Sequence, residues 1–304
     1  MPTAQVEGLT LAYEESGDPH GPVALLIMGL GVQLTFWPDE FVARLGAAGF
    51  RVVRFDNRDI GLSSKLDHHG MPNIALDAAR YFLRLPLRAP YLIDDMARDT
   101  EAFMDALAIE RAHVVGASMG GMIAQELAAR SPARVATLTS IMSTTGSRAL
   151  PLPEPRALRA LLQPLAPPGD VAGAARRLES LMKVIGSRTY PPVESELRAF
   201  CERQVRRSYH PAGAARQLLA IAASGDRTSN VKRIKVPTLV IHGDEDPLLR
   251  PACGEATARA IEAGGGRATL QVVKGMGHDM PAAVLPSIVD AIVAHCSAIR
   301  PRAG

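Results

Sequence analysis

Short apolar runs recur along this chain, each followed by a stretch with helical spacing, and that rhythm constrains the fold more than any other feature. Residues 23–28 (Val-Ala-Leu-Leu-Ile-Met) are continuously apolar between Gly21-Pro22 and Gly29, the pattern of a strand buried on both faces. Residues 36–48 then read as a helix that stops at Gly49, and 51–55 as a second strand. After a helix at 94–107, residues 112–115 form a third strand, which passes into Ser118 and a helix ending at Arg130. Residues 135–142 form a fourth. Such alternation builds βαβ units, hence a parallel sheet with right-handed crossovers. A hairpin around Gly8, from residues 5–7 and 10–14, is expected to precede it.

The rhythm breaks after Met142. Residues 146–230 hold nine of the 23 prolines and helical stretches at 171–184, 193–208 and 211–223, with no strand pattern. It resumes with a strand at 238–242, a helix at 253–263, a strand at 269–273 and a last helix at 281–298. The expected organisation is one α/β core, 1–145 with 231–304, and a mostly helical cap, 146–230, inserted after the fourth parallel strand. There is no internal repeat, and no low-complexity tail beyond Pro301-Arg302-Ala303-Gly304.

Composition narrows the function classes. With 47% hydrophobic and 21% charged residues over 304 positions, the chain is expected to fold and to bury a substantial core. The net charge of +3 is unevenly spread: residues 146–230 carry +6 and the remainder −3. The basic excess lies on helical sequence without interleaved aromatics, so a solvated helix surface is the expectation and nucleic acid is not an expected partner. No run approaches the roughly 20 apolar residues of a membrane-spanning helix. The first residues show neither a basic nor an apolar signal region, so a cytoplasmic protein is expected. Cys201, Cys253 and Cys296 are scattered, which suits reduced thiols and neither a disulfide framework nor a metal site.

The chemistry centres on Gly116-Ala117-Ser118-Met119-Gly120. Strand before and helix after are the context in which a G-x-S-x-G serine is lifted above the sheet edge on a strained turn, with glycines where side chains would collide. A serine hydroxyl attacks only when a base takes its proton and a carboxylate holds that base. Of the eight histidines, His278 sits in a glycine-flanked loop between a strand and the final helix, able to reach the sheet edge. Asp244, Glu245 and Asp246 all follow the strand at 238–242 and are candidates for the acid. A tetrahedral intermediate needs backbone donors. Met119, the first residue of the helix after Ser118, is one candidate, and the loop after residue 28 should supply the other.

Here the sequence resembles the α/β-hydrolase family, whose fold is a mostly parallel twisted sheet flanked by helices. The family's acid ends an H-G-x-x-D pattern, matched by His242-Gly243-Asp244-Glu245-Asp246, so the resemblance implies a Ser118, Asp246, His278 triad with Asp244 as runner-up. It also implies Leu30 as the second backbone donor, in Met28-Gly29-Leu30-Gly31, where Met28 replaces a common histidine. The segment Phe55-Asp56-Asn57-Arg58-Asp59-Ile60-Gly61-Leu62-Ser63 is similar to the family's D-x-R-G-x-G-x-S loop, with Asp59 in place of a glycine and Arg58 expected to tie loops together. The Met-Gly turn, Trp37-Pro38-Asp39 and residues 91–96 are most similar to the aclacinomycin methylesterase-like carboxylesterases.

Serine in this position implies attack on an ester, thioester or lactone carbonyl, and disfavours the related haloalkane and epoxide chemistries, which use aspartate. Cleavage of a small-molecule carboxylic ester with an apolar acyl or alcohol part is expected, needing no metal or organic cofactor. Carbon–carbon hydrolysis, lactone opening and perhydrolysis share the triad and stay open, as do a non-catalytic receptor on the same scaffold and a homodimer. Substrate contacts are expected from Leu161, Leu178, Leu181, Met182 and Phe200 of the insertion, with Leu30, Met122 and Met280 of the core, and from the long segment 66–90 with Tyr81 and Phe82.

Overall fold

A computed structural model describes residues 1–298; residues 299–304, the end of the expected core and its Pro-Arg-Ala-Gly tail, lie outside the described residues. Its eight-stranded sheet comprises β1 (Thr3–Val6), β2 (Leu9–Gly17), β3 (Val23–Ile27), β4 (Arg51–Phe55), β5 (Ala112–Ala117), β6 (Val135–Ile141), β7 (Thr238–Gly243) and β8 (Ala268–Val273). The order is β1-β2-β4-β3-β5-β6-β7-β8. β1 pairs antiparallel with β2, and β2 with β4; β3 through β8 are parallel, as expected.

The pleat sorts the strand side chains into two cores. Leu25 and Ile27 of β3 and Val114 of β5 join one cluster with Phe103, Ile123 and Leu127. Their chain neighbours Leu26 and Val115 join the other, with Trp37, Phe41, Leu45, Ile288 and Ile292. Successive side chains of a strand point to opposite faces, so continuous apolar runs are what a sheet covered on both sides needs. The first face carries α3 (Ile93–Ala106) and α4 (Met119–Arg130), and the second α1 (Asp39–Ala47) and α11 (Leu285–Ser297). Each fully buried leucine or isoleucine contributes about 1.5–3 kcal/mol.

Between β6 and β7 run α5 (Pro155–Leu161), α6 (Val171–Ile185), α7 (Glu194–Arg207), α8 (Pro211–Ser224) and the single turn α9 (Thr228–Val231); no strand occurs there among the described residues. α10 (Ala252–Ala263) connects β7 to β8. α5 begins in a proline-rich stretch, residues 151–155, for which the sequence suggests no helix. Pro155 is tolerated because it opens the helix, where its missing N–H has no intrahelical acceptor to lose. A further helix, α2 (Ile74–Phe82), stands in the long segment before α3, capped by the Asn73 side chain on the Leu76 N–H. The expected helix at 36–48 is a turn at Leu34–Phe36 followed by α1, which starts only after Pro38. Among the described residues no helix is long and apolar enough to cross a membrane.

Candidate active site

Ser118 leaves the C-terminal end of β5 and lies immediately before α4, in a backbone conformation (φ 55°, ψ −120°) that non-glycine residues rarely adopt. The turn closes tightly. A Cβ at Gly116 would collide with the Gly120 carbonyl, and one at Gly120 with the Ile27 carbonyl of the adjacent strand. The strain is held by the Ser118 N–H donating to Ile141 O at 2.9 Å and by Gly121 N–H donating to Ser118 O at 2.9 Å.

Two other strand ends bring partners to this serine. His278, on the loop after β8, has Nε2 3.0 Å from Ser118 Oγ and Nδ1 2.7 Å from Oδ2 of Asp246, on the loop after β7. The three residues expected to meet therefore form one unbroken chain of hydrogen bonds. Asp246 is 1% exposed. Burial alone would raise its carboxyl, but the facing His278 charge and hydrogen bonds from His242 and His278 outweigh that and hold it far below the usual carboxylate range. Its other oxygen accepts the Leu248 and Leu249 N–H groups, each at 2.9 Å, an Asx-type turn across Pro247.

The neighbouring acids are engaged elsewhere. Asp244 Oδ1 accepts the Gly275 N–H at 2.6 Å, and Glu245 accepts the N–H groups of Arg188 and Thr189 at 2.8 and 3.0 Å. The His278 loop is also tied to the segment between β6 and β7. His278 N–H donates to Ile185 O at 2.8 Å, and Asp279 Oδ1 accepts from the Ser187 N–H and hydroxyl at 3.0 and 2.7 Å.

The loop after β3 passes directly over the serine, since a Cβ on Gly29 would sit 3.1 Å from Ser118 Cβ. Leu30 follows in that loop. Met119 opens α4, so its N–H belongs to the first helical turn, whose donors lack intrahelical acceptors. Three buried side chains to which the sequence assigns no role support the loops around the site. Asn57 Nδ2 donates to Met28 O at 2.9 Å; Gln217 of α8 takes the Gly31 N–H and donates to Arg58 O, each at 2.8 Å; and His242 Nε2 lies 2.7 Å from Leu249 O. Arg58 itself makes a two-pronged ion pair with Asp99 of α3 at 2.5 and 2.6 Å, which anchors the loop after β4 to that helix.

Ser118 and His278 open into a cavity of about 1150 Å³, above the 300–1,000 Å³ of ordinary small-molecule sites. All eight apolar residues expected to contact substrate line it, and so do Tyr81 and Phe82 of α2. Phe200 also stacks edge-on against Phe36, 4.9 Å between ring centres. Among the described residues no group of three His, Cys, Asp or Glu side chains is arranged to hold a metal ion.

The comparisons with known proteins agree with this architecture. Rhodomycin D methylesterase DauP of Streptomyces sp. (strain C5) is 31% identical to this chain, over 98% of this chain and 99% of its own length. Rhodomycin D methylesterase DnrP of Streptomyces peucetius is 30% identical with the same coverage. Both bear out the resemblance to methylesterase-like carboxylesterases. The solved enol-lactonase of Burkholderia xenovorans LB400 is similar with a TM-score of 0.72 and 26% identity, over 97% of this chain and 100% of that one. The alpha/beta hydrolase fold family matches residues 22–281, and with full-length relatives at this identity the protein belongs to that family.

Proposed function

We propose that this protein is a serine hydrolase that cleaves carboxylic esters through an acyl-enzyme. The single observation that carries the proposal is the hydrogen-bond chain Ser118–His278–Asp246 at the floor of a large apolar cavity. Ser118 Oγ attacks the ester carbonyl carbon as its proton passes to His278 Nε2. Asp246 holds the imidazole by Nδ1 and stabilises its cation. The carbonyl oxygen becomes an oxyanion facing the Leu30 and Met119 N–H groups. Collapse expels the alcohol, protonated by His278, and leaves the acyl group on Ser118. Water then attacks with His278 again as base, releasing the acid. No metal or organic cofactor enters this route.

In this reading residues 146–230 are a cap over the sheet edge, and core and cap share the substrate's apolar part. The relatives named as rhodomycin D methylesterases support a methyl ester, that is, an ester of a small alcohol, and the cavity volume has room for a bulky acyl part. The likeness to an enol-lactonase favours a lactone, a cyclic ester, as the second substrate class.

The deciding experiment combines turnover of p-nitrophenyl acetate and butyrate, a lactone panel, and labelling by a fluorophosphonate probe. Hydrolysis together with labelling at Ser118, both lost in Ser118→Ala, is the expected result. A folded protein that neither turns over nor is labelled refutes the proposal and leaves the non-catalytic scaffold.

A further inference from the structure

We propose that the face of α2 and the rim of the cavity mouth dock onto an anionic lipid bilayer. Exposed large apolar side chains are concentrated there: Met71, Leu76, Phe82, Leu83 and Leu85 fall within fifteen residues, with Leu83 70% exposed and Met71 56%. α2 explains why. Ile74, Asp77, Ala78, Tyr81 and Phe82 follow helical spacing and line the cavity, so the inner stripe is already used. Leu76 and Leu83, seven residues apart and off that stripe, form a second apolar line, 49% and 70% exposed among the described residues. α2 has no fully buried residue at all.

The rim continues this surface. Leu152, before α5, and Val193, before α7, are 57% and 58% exposed and line the same cavity as Phe82. The Arg148 guanidinium, 4.8 Å over the Tyr81 ring, joins the α2 side of the mouth to the insertion side. Contiguous exposed apolar surface marks an interaction site, and its charge selects the partner. Arg80, Arg84 and Arg88 are exposed among these leucines, with Asp77 the one acid between residues 71 and 90. Apolar side chains with interleaved arginines suit the headgroup region of an anionic membrane. A second copy fits poorly. A two-fold contact would set the arginines of both copies against one another and close both mouths. Seated on a bilayer, the mouth opens toward the phase in which an apolar ester concentrates.

The test is cosedimentation with unilamellar vesicles of phosphatidylcholine, alone or mixed with phosphatidylglycerol, using the full chain. The variants are Leu83→Asp/Leu85→Asp and Arg80→Gln/Arg88→Gln, none of which lines the cavity. The wild type should sediment with the mixed vesicles and release as salt rises. The leucine variant should stay in the supernatant. The arginine variant should lose roughly fivefold in affinity per charge removed, for mixed vesicles only. Turnover of p-nitrophenyl butyrate without vesicles should match in all three proteins; since sedimentation needs no turnover, failure of the ester assignment and failure of docking are separate results. Wild-type protein that does not sediment, leucine variants that sediment like it, or a wild-type dimer that Leu83→Asp/Leu85→Asp converts to monomer would overturn the proposal.

Discussion

Gln217, on α8, accepts the Gly31 N–H at 2.8 Å across 186 positions of sequence, and its own amide donates to Arg58 O at 2.8 Å. One fully buried side chain thus bridges the loops after β3 and β4, next to Leu30, the proposed oxyanion donor. Gln217→Leu deprives the partly buried Gly31 N–H and Arg58 carbonyl of this partner, at about 1 kcal/mol each, and frees that loop to move. Since one misplaced oxyanion donor costs about 10²–10³ in rate, kcat on p-nitrophenyl butyrate should fall by roughly tenfold or more with KM little changed. Affinity for a trifluoromethyl ketone, which binds as a tetrahedral adduct, should fall in parallel. An unchanged kcat with a raised KM would reduce Gln217 to a cavity-shaping role.

The acid can be assigned by two conservative substitutions. Asp246→Asn removes the charge facing His278 and should reduce kcat by roughly a thousandfold or more. Asp244→Asn retains an amide oxygen for the Gly275 N–H and should stay within about threefold of wild type. Measured by esterase turnover at fixed pH, the opposite ranking would move the acid to Asp244.

Which parts of the site were legible in the sequence follows from how local their signals are. Ser118 stands in a five-residue pattern between strand and helix, Asp246 before a proline after a buried strand, and His278 in a glycine-flanked loop, so each is readable from its neighbours. Gln217 is not, because its partners are distant in sequence and no local pattern marks a helical glutamine as a loop clamp. The fold divides the same way. Continuous apolar strands such as β3 and β5 announce themselves, whereas α2 lies between Pro72 and Pro86 with apolar side chains on two sides, which blurs its 3.6-residue period. α5 is hidden for a similar reason, its opening proline being part of a proline-rich run.

Acid should weaken the fold partly through Asp246. Its carboxyl is held below the ordinary value by the His278 charge and by hydrogen bonds from both histidines, against the opposing effect of burial. A carboxyl lowered in the folded state adds stability that is fully present above its unfolded value and is lost as pH falls toward the folded one. Urea midpoints of the wild type should therefore drop between about pH 5 and pH 2, and Asp246→Asn should flatten that slope. Equal slopes for the two proteins would show that Asp246 is not held as the geometry indicates.

The chain departs from the family-like loop at one buried position. Asp59 stands where a glycine is common and keeps the left-handed backbone (φ 70°) that a glycine would adopt without strain. What holds it is Arg216 of α8, whose guanidinium donates to both carboxylate oxygens at 2.8 and 2.7 Å, with the Tyr91 hydroxyl and the Leu66 N–H completing the shell at 2.8 and 2.7 Å. Both Asp59 and Arg216 are fully buried. Removing Arg216 leaves the buried Asp59 carboxylate without its guanidinium partner, so Arg216→Met should destabilise the protein by about 3–5 kcal/mol in urea denaturation, whereas without Asp59 the guanidinium keeps the Asp67 carboxylate at 3.1 Å. Asp59→Gly should be destabilising as well, its loss offset by about 1 kcal/mol of relieved backbone strain. The double variant removes both charges and the strain together, so it should be clearly more stable than the sum of the single changes, with a coupling of at least about 2 kcal/mol. Because Arg216 and Gln217 are adjacent on α8, Arg216→Met should also lower kcat through the Gly31 loop, and the double variant should recover part of it. Additive stabilities would mean that the pair does not anchor α8 to the loop.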